Sequence, residues 1–403
     1  MTAAPEPEPV SGPVAQAHPP DVVMLGEHAA ALETLSARAD AHARAARSPR
    51  TRALYARDWA HFAGWCELVG RRALPAEPDT LRWYLTDLES SRTEHGAQLY
   101  QPATLARRLA AIAAAHRDTG HLSPTRDPRV HAVLSGIRRT RRRTPHRMQP
   151  LLLRDVRTLL ASMDYASWPG GVTATRDAFV VLAGFAGALR RSELAALTLA
   201  DLTWHRTDGL YVRIRSSKTD QEATGATLAL PFGEHPQTCP PCAFLRWATL
   251  LAASQQGRSA LMRAVFTTPA WADWTHLCRG PHPGETTPEH APDDGRDAAG
   301  QLASLPGELP ALCGVRKGGA LARTAISGDG LHVMVKRRAA TAGIDGPVGF
   351  HSLRAGFVTQ ARRAGADTRE VRRQTRHSSD AMVELYDRDH APLLGNAVTR
   401  LGL

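Results

Sequence analysis

His351, Arg354, His377 and Tyr386 fall between Phe350 and Tyr386, in the order His-x-x-Arg, His, Tyr. Arg presents a forked set of donors to phosphate oxygens, and His donates to the same oxygens or moves protons. A tyrosine hydroxyl becomes a nucleophile when cations and a base lower the cost of its anion. The set therefore points to covalent phosphate chemistry. No acidic pair suited to holding a metal accompanies it. Phe350, Leu353, Phe357 and Ala361 recur at helical spacing, so an amphipathic helix carries His351 and Arg354 on one face. Gly365 is a stop, and Asp367 with Glu370 reads as a capping box that opens a second helix. Ser379 is suited to cap a third, on which Met382, Leu385 and Tyr386 fall together.

Upstream elements offer matching groups. Phe179, Val181, Leu182 and Phe185 mark a buried helix, followed by Gly187-Ala-Leu-Arg-Arg-Ser-Glu-Leu194. Arg190 enters a new helix there, where backbone N–H groups and the helix dipole also favour an anion. Glu193 is close enough in sequence to hold its guanidinium. Leu210, Val212 and Ile214 alternate with Tyr211, Arg213 and Arg215, which is strand spacing. A second strand, Thr227 to Leu230, follows a polar turn that contains Lys218.

The ordered motifs resemble the tyrosine recombinases (phage-integrase family): an Arg motif, a hairpin Lys, H-x-x-R, a second His, and Tyr nine positions later. One departure is Arg376, where the family often has Gly. The resemblance implies a mainly α protein: a helical, SAM-like core-binding domain, then a mixed α/β catalytic domain of the DNA-breaking–rejoining type with a small antiparallel sheet. It implies site-specific DNA recombination in which Tyr386 forms a 3′-phosphotyrosine. Arg190, Arg354 and His377 would stabilise the phosphorane, His351 accept the tyrosine proton, Lys218 protonate the leaving oxygen and Glu193 support Arg190. It further implies double-stranded DNA and a homotetramer on paired sites as partners, with accessory DNA-bending or directionality factors open. Neither metal, ATP nor another cofactor is expected. A type IB topoisomerase and a non-catalytic DNA-binding protein of the same fold are the alternatives.

The whole chain fits such a partner. Its 403 residues suit two or more domains, and 50 Lys and Arg against 39 acidic residues give a net charge of +11. No apolar run is long enough to span a bilayer, and the N-terminus lacks a signal peptide's regions. Five cysteines suit a reducing cytoplasm, here nucleoid-associated, better than a disulfide framework. Residues 1–47 read as a disordered tail with an arm helix. Residues 48–137 read as a four-helix DNA clamp, with Arg107, Arg108 and His116 on its outer side. Residues 138–150 form a basic linker, in which Arg138, Arg139, Arg141, Arg142 and Arg143 are expected to lie along DNA phosphates. Residues 151–403 make the catalytic domain, interrupted by a Pro- and Gly-rich surface insertion at about 274–319. Cys239-Pro-Pro-Cys242 invites a zinc or redox reading, with His276, Cys278 and Cys313 as further ligands, but it is read as structural or incidental, because no second paired motif stands at finger-like spacing and the pair lies at the entry to a helix.

Overall fold

The computed structural model describes residues 22–141, 148–205, 207–215, 225–278, 305–377 and 379–384, with side chains from His28 onward. The chain divides into two compact units, Met1–Pro145 and His146–Leu403.

The first unit is helical: α1 (Val22–Ala45), α2 (Pro49–Leu68), α3 (Pro78–Ser90), α4 (Pro102–Asp118) and α5 (Pro128–Thr140). Proline opens α2 through α5, where its missing N–H costs nothing and its fixed φ already fits a helix. Ser48 caps α2 by accepting from Thr51 N at 3.2 Å, and Asp127 caps α5 by accepting from Arg129 N at 2.8 Å. Phe62, Leu81, Tyr84, Leu85, Leu105, Ile112 and Val130 close a single apolar core. α1 is exposed along its described length.

Three cationic positions expected on the outside of this unit turn inward. Arg108 is 6% exposed; it donates to Tyr84 Oη at 2.7 Å and stacks over Tyr100 at 4.3 Å. Arg107 forks onto buried Asp58 at 2.7 and 3.0 Å. His116 is fully buried: its Nε2 accepts from Ala76 N at 2.9 Å, and its Nδ1 donates to Ile112 O at 2.8 Å. Arg141 also folds back, pairing with Glu89 at 2.7 Å and donating to Tyr100 O at 2.8 Å. For the three arginines the cause is the same. A buried carboxylate, hydroxyl or carbonyl needs a donor, and the alkyl stem of arginine is long enough to supply one from a neighbouring helix. Arg138 and Arg139 remain exposed. Arg142 and Arg143 lie outside the described residues.

The second unit is built on α7 (Gly170–Ala186), buried almost throughout. Around it stand α6 (Leu153–Ala161), the short α8 (Arg191–Ala195), α9 (Pro240–Gln255), α10 (Arg258–Phe266), α11 (Gly328–Thr341), α12 (Phe350–Arg363) and α13 (Thr368–Thr375). Strands β1 (Leu202–His205), β2 (Gly209–Ile214) and β3 (Ala226–Leu230) form an antiparallel sheet in that order. Leu202 faces Val212, and Leu210 faces Leu230; Leu210, Val212 and Ile214 point into the core. A two-stranded sheet, β4 (Cys313–Val315) with β5 (Leu321–Ala325), follows. α12 lies so close to its neighbours that a Cβ on Gly356 would sit 1.8 Å from Leu151 O, and one on Gly184 2.9 Å from Leu353 Cδ1. Asp177 on α7, fully buried, joins Arg176 at 2.6 Å to Arg338 of α11 at 2.9 Å.

The stretch expected to be a surface insertion is core at both ends. Trp274, Ala311 and Leu312 are buried. Leu199 N donates to Leu309 O and Ala311 N to Leu197 O, both at 2.9 Å, and Trp247 Nε1 donates to Ala311 O at 2.7 Å. Pro- and Gly-rich composition hides such segments, because their backbone pairs with distant loops and shows no sequence period. Residues 279–304 lie outside the described residues.

Candidate active site

The site is assembled from the turn between α7 and α8, the start of α12 and the end of α13. After Gly187, Ala188 takes a left-handed φ of 44°, which turns its carbonyl towards Arg354. Arg354 is 2% exposed; its guanidinium donates to Ala188 O and, at 2.5 Å, to Thr375 O. One arginine therefore clasps both segments that flank it. Gln374 Nε2 adds a tie to Ala186 O at 2.8 Å.

Arg190 stands at the N-cap of α8. Buried Glu193 accepts from Arg190 N at 2.8 Å and from Arg190 Nη1 at 2.7 Å. The same carboxylate accepts from Arg376 Nη2 at 2.7 Å. Arg376 thus does more than add a charge at a position where the family often has Gly. It keeps the left-handed backbone that glycine favours, with φ 57° and ψ 41°. Among the described residues, its Nε and Nη1 are buried without a hydrogen-bond partner. Burial, and then Arg190, lower its pKa, while Glu193 raises it.

His377 is buried, with Nδ1 3.0 Å from Thr375 Oγ1. Desolvation first, and then Arg354, Arg190, His351 and Arg372, push its pKa down to about 3. His351, at the exposed start of α12, is lowered by desolvation and by Arg354 and Arg190. Both rings are therefore neutral at pH 7 before an anion arrives. A neutral imidazole can accept a proton or donate one hydrogen bond. Arg190, Arg354, Arg376 and the two histidines thus share one electrostatic environment, in which Glu193 is the carboxylate paired with two of the arginines among the described residues. That balance suits an anionic guest with several oxygens.

Lys218, between β2 and β3, and Tyr386 lie outside the described residues. Residues 380–384 are helical, and Met382 N donates to Ser379 O at 3.3 Å, which is the start expected for the third helix. The pairing of Arg376 with Glu193 escaped the sequence reading because 183 residues separate them; its one signal was arginine at a position where glycine is usual.

No protein-family model matches the chain. It is 27% identical over 373 residues to an integrase/recombinase xerD homolog of Selenomonas ruminantium, a match spanning 92% of this chain and 90% of that protein. Solved structures similar to it include XerH site-specific recombinase bound to palindromic difH substrate, with TM-score 0.45, 13% identity, and 87% of this chain and 78% of that one covered. Another is a lambda integrase (75–356) dimer bound to a COC′ core site, with TM-score 0.45, 15% identity, and 89% and 95% covered. In its ordered motifs, and in a relative that matches it almost end to end, the chain is similar to the tyrosine recombinases.

Proposed function

We propose that the chain is a site-specific DNA recombinase that cuts and rejoins duplex DNA through a phosphotyrosine, without metal or ATP. The observation that carries this reading is the clasp of Arg354 across Ala188 and Thr375, beside the Arg190–Glu193–Arg376 bridge. It presents fixed cations to an anion with little reorganisation, which is how developing phosphorane charge is stabilised. Tyr386 Oη attacks the scissile phosphorus, and His351 takes its proton. The P–O5′ bond breaks, Lys218 protonates the departing 5′ oxygen, and a 3′-phosphotyrosine remains. Arg190, Arg354 and His377 bear on the non-bridging oxygens. A 5′-hydroxyl from a second strand reverses the step, so the bond energy is conserved. Joining strands from two duplexes calls for paired sites, and a homotetramer supplies one tyrosine per strand.

Trapping covalent protein–DNA complexes on sheared genomic DNA and sequencing the attachment points tests the proposal. Adducts at discrete, recurring sequences are expected. Scattered adducts, with relaxation of supercoiled plasmid that needs no paired sites, would instead indicate a topoisomerase. A complete lack of adducts would indicate a DNA-binding protein without chemistry.

A further inference from the structure

Away from the arginine cluster, the structure brings together four side chains that the sequence scatters. Cys239 and Cys242 stand at the N-cap and in the first turn of α9, and His276 and Cys278 follow 34 and 36 residues after Cys242. Cys239 Sγ lies 3.6 Å from Cys278 Sγ, and His276 Nδ1 lies 3.5 Å from Cys242 Sγ and 3.6 Å from Cys278 Sγ. All four ligand atoms fall within 4.8 Å of one another. A tetrahedral zinc, with Zn–S of about 2.3 Å and Zn–N of about 2.0–2.1 Å, has S···S edges of about 3.8 Å and S···N edges of about 3.6 Å. A disulfide needs its sulfurs about 2.0 Å apart, and all these cysteines are free. We propose that Cys239, Cys242, His276 and Cys278 bind one zinc ion in a closed, structural site that fastens the segment entering residue 279 to the start of α9.

The surroundings fit that occupant. His276 Nε2 lies 3.1 Å from Glu234 O; a carbonyl only accepts, so Nε2 carries the hydrogen and Nδ1 turns its lone pair to the cluster. Backbone N–H groups reach two of the sulfurs, Gly233 N to Cys239 at 3.2 Å and Leu277 N to Cys242 at 3.3 Å. The positive end of α9 favours thiolates at both of its cysteines. Three thiolates and Zn²⁺ sum to one negative charge. Beside them the buried guanidinium of Arg246 donates to Cys242 O at 3.3 Å and Thr275 O at 2.7 Å, and stacks on Trp274 at 4.2 Å. A buried cation next to that cluster is stabilised, whereas next to neutral thiols it would lack a counter-charge among these groups. With four protein ligands and no oxygen donor, the site has no open position for catalysis, and sulfur with imidazole selects zinc over calcium or magnesium. Cys313 is not part of it; its Sγ is directed to Pro310 O at 3.6 Å.

Elemental analysis of the untagged full chain, purified without chelator, tests the site. We expect one zinc per chain, released on titration of the thiols with a mercurial and read with a metallochromic dye. Cobalt in its place should give tetrahedral thiolate–cobalt absorption. Cys242→Ser and Cys278→Ser should fall to background zinc, while Cys313→Ser keeps it and His276→Cys retains a four-ligand site. Should the serine variants fold poorly, the wild-type zinc content and cobalt spectrum decide alone. Wild-type protein without stoichiometric zinc after growth in zinc-supplemented medium would overturn the proposal. So would a Cys239–Cys278 disulfide in protein handled anaerobically, or zinc that Cys242→Ser retains as fully as Cys313→Ser.

Discussion

Replacing Glu193 by Gln removes the negative charge that Arg190 and Arg376 both pair with, while keeping the shape of the side chain. The Glu193 side chain is 2% exposed, against 22% for Arg190 and 14% for Arg376, so water screens these pairs little. Removing one partner of a buried ion pair costs about 3–5 kcal/mol, chiefly because the remaining charge is left uncompensated. Gln retains one oxygen acceptor and can still serve one of the two arginines, which places the loss near about 3 kcal/mol. For a unit of this size, each kcal/mol lowers the melting temperature by about 2–4 °C, so the full chain should melt about 6–12 °C lower. Adding Arg376→Gly should recover part of that loss. It deletes one of the two stranded cations and puts glycine at φ 57°, a conformation that costs other residues roughly 1–2 kcal/mol. Circular-dichroism melting of wild type, both single variants and the double variant closes the cycle. A Glu193→Gln melting temperature within about 1 °C of wild type would refute the reasoning. So would strictly additive effects of the two substitutions, since the residues share a hydrogen bond.

The basic stretch should now divide. Replacing Arg138 and Arg139, both exposed, with Ala should flatten the salt dependence of DNA binding by up to about two units. Arg141→Ala should instead lower stability with little change in slope, because its guanidinium is held by Glu89; a salt titration and a melt together separate the two. His377 gives a pH signature. Its folded pKa of about 3 lies below the ordinary 6.5, so the unfolded chain binds more protons between those values. Stability should be full above pH 6.5 and fall as pH drops towards 3, and His377→Asn should make that acid limb shallower in melts at pH 7 and 5. For Lys218, a bridging 5′-sulfur substrate is diagnostic, since a thiolate with a pKa of about 8.5 leaves without the proton an alkoxide needs. Lys218→Ala should be slow on ordinary DNA and recover on the sulfur substrate, whereas Arg354→Ala should not; equal slowness of Lys218→Ala on both would remove it as general acid.

What the sequence made legible was periodic and local. The helix bearing His351 and Arg354 and the inward alternation of Leu210, Val212 and Ile214 need no distant partner to be read. The capping box at Asp367 is equally local, with Glu370 N donating back to it at 2.7 Å. The misses are long-range. Arg108 reads as outward by face arithmetic, yet Tyr84 draws it in from 24 residues away. Asp58 does the same to Arg107 from 49 residues away. The CPPC pair reads as structural or incidental even with His276 and Cys278 in view, because they form His-x-Cys rather than a second Cys-x-x-Cys, beyond a whole helical hairpin. Arg376 adopts glycine's backbone because the bridge to Glu193 and the clasp at Thr375 fix its neighbours, and composition records neither.

The central claim rests on Tyr386 as nucleophile, and Tyr386→Phe addresses it by deleting only the attacking oxygen. With labelled DNA that carries the site recovered by trapping, wild-type protein should give a protein–DNA band that survives denaturing electrophoresis. Tyr386→Phe should bind the same DNA in a native gel with unchanged affinity and give no such band. A normal yield of covalent adduct from Tyr386→Phe would contradict the account, because another residue would then be the one that attacks phosphorus.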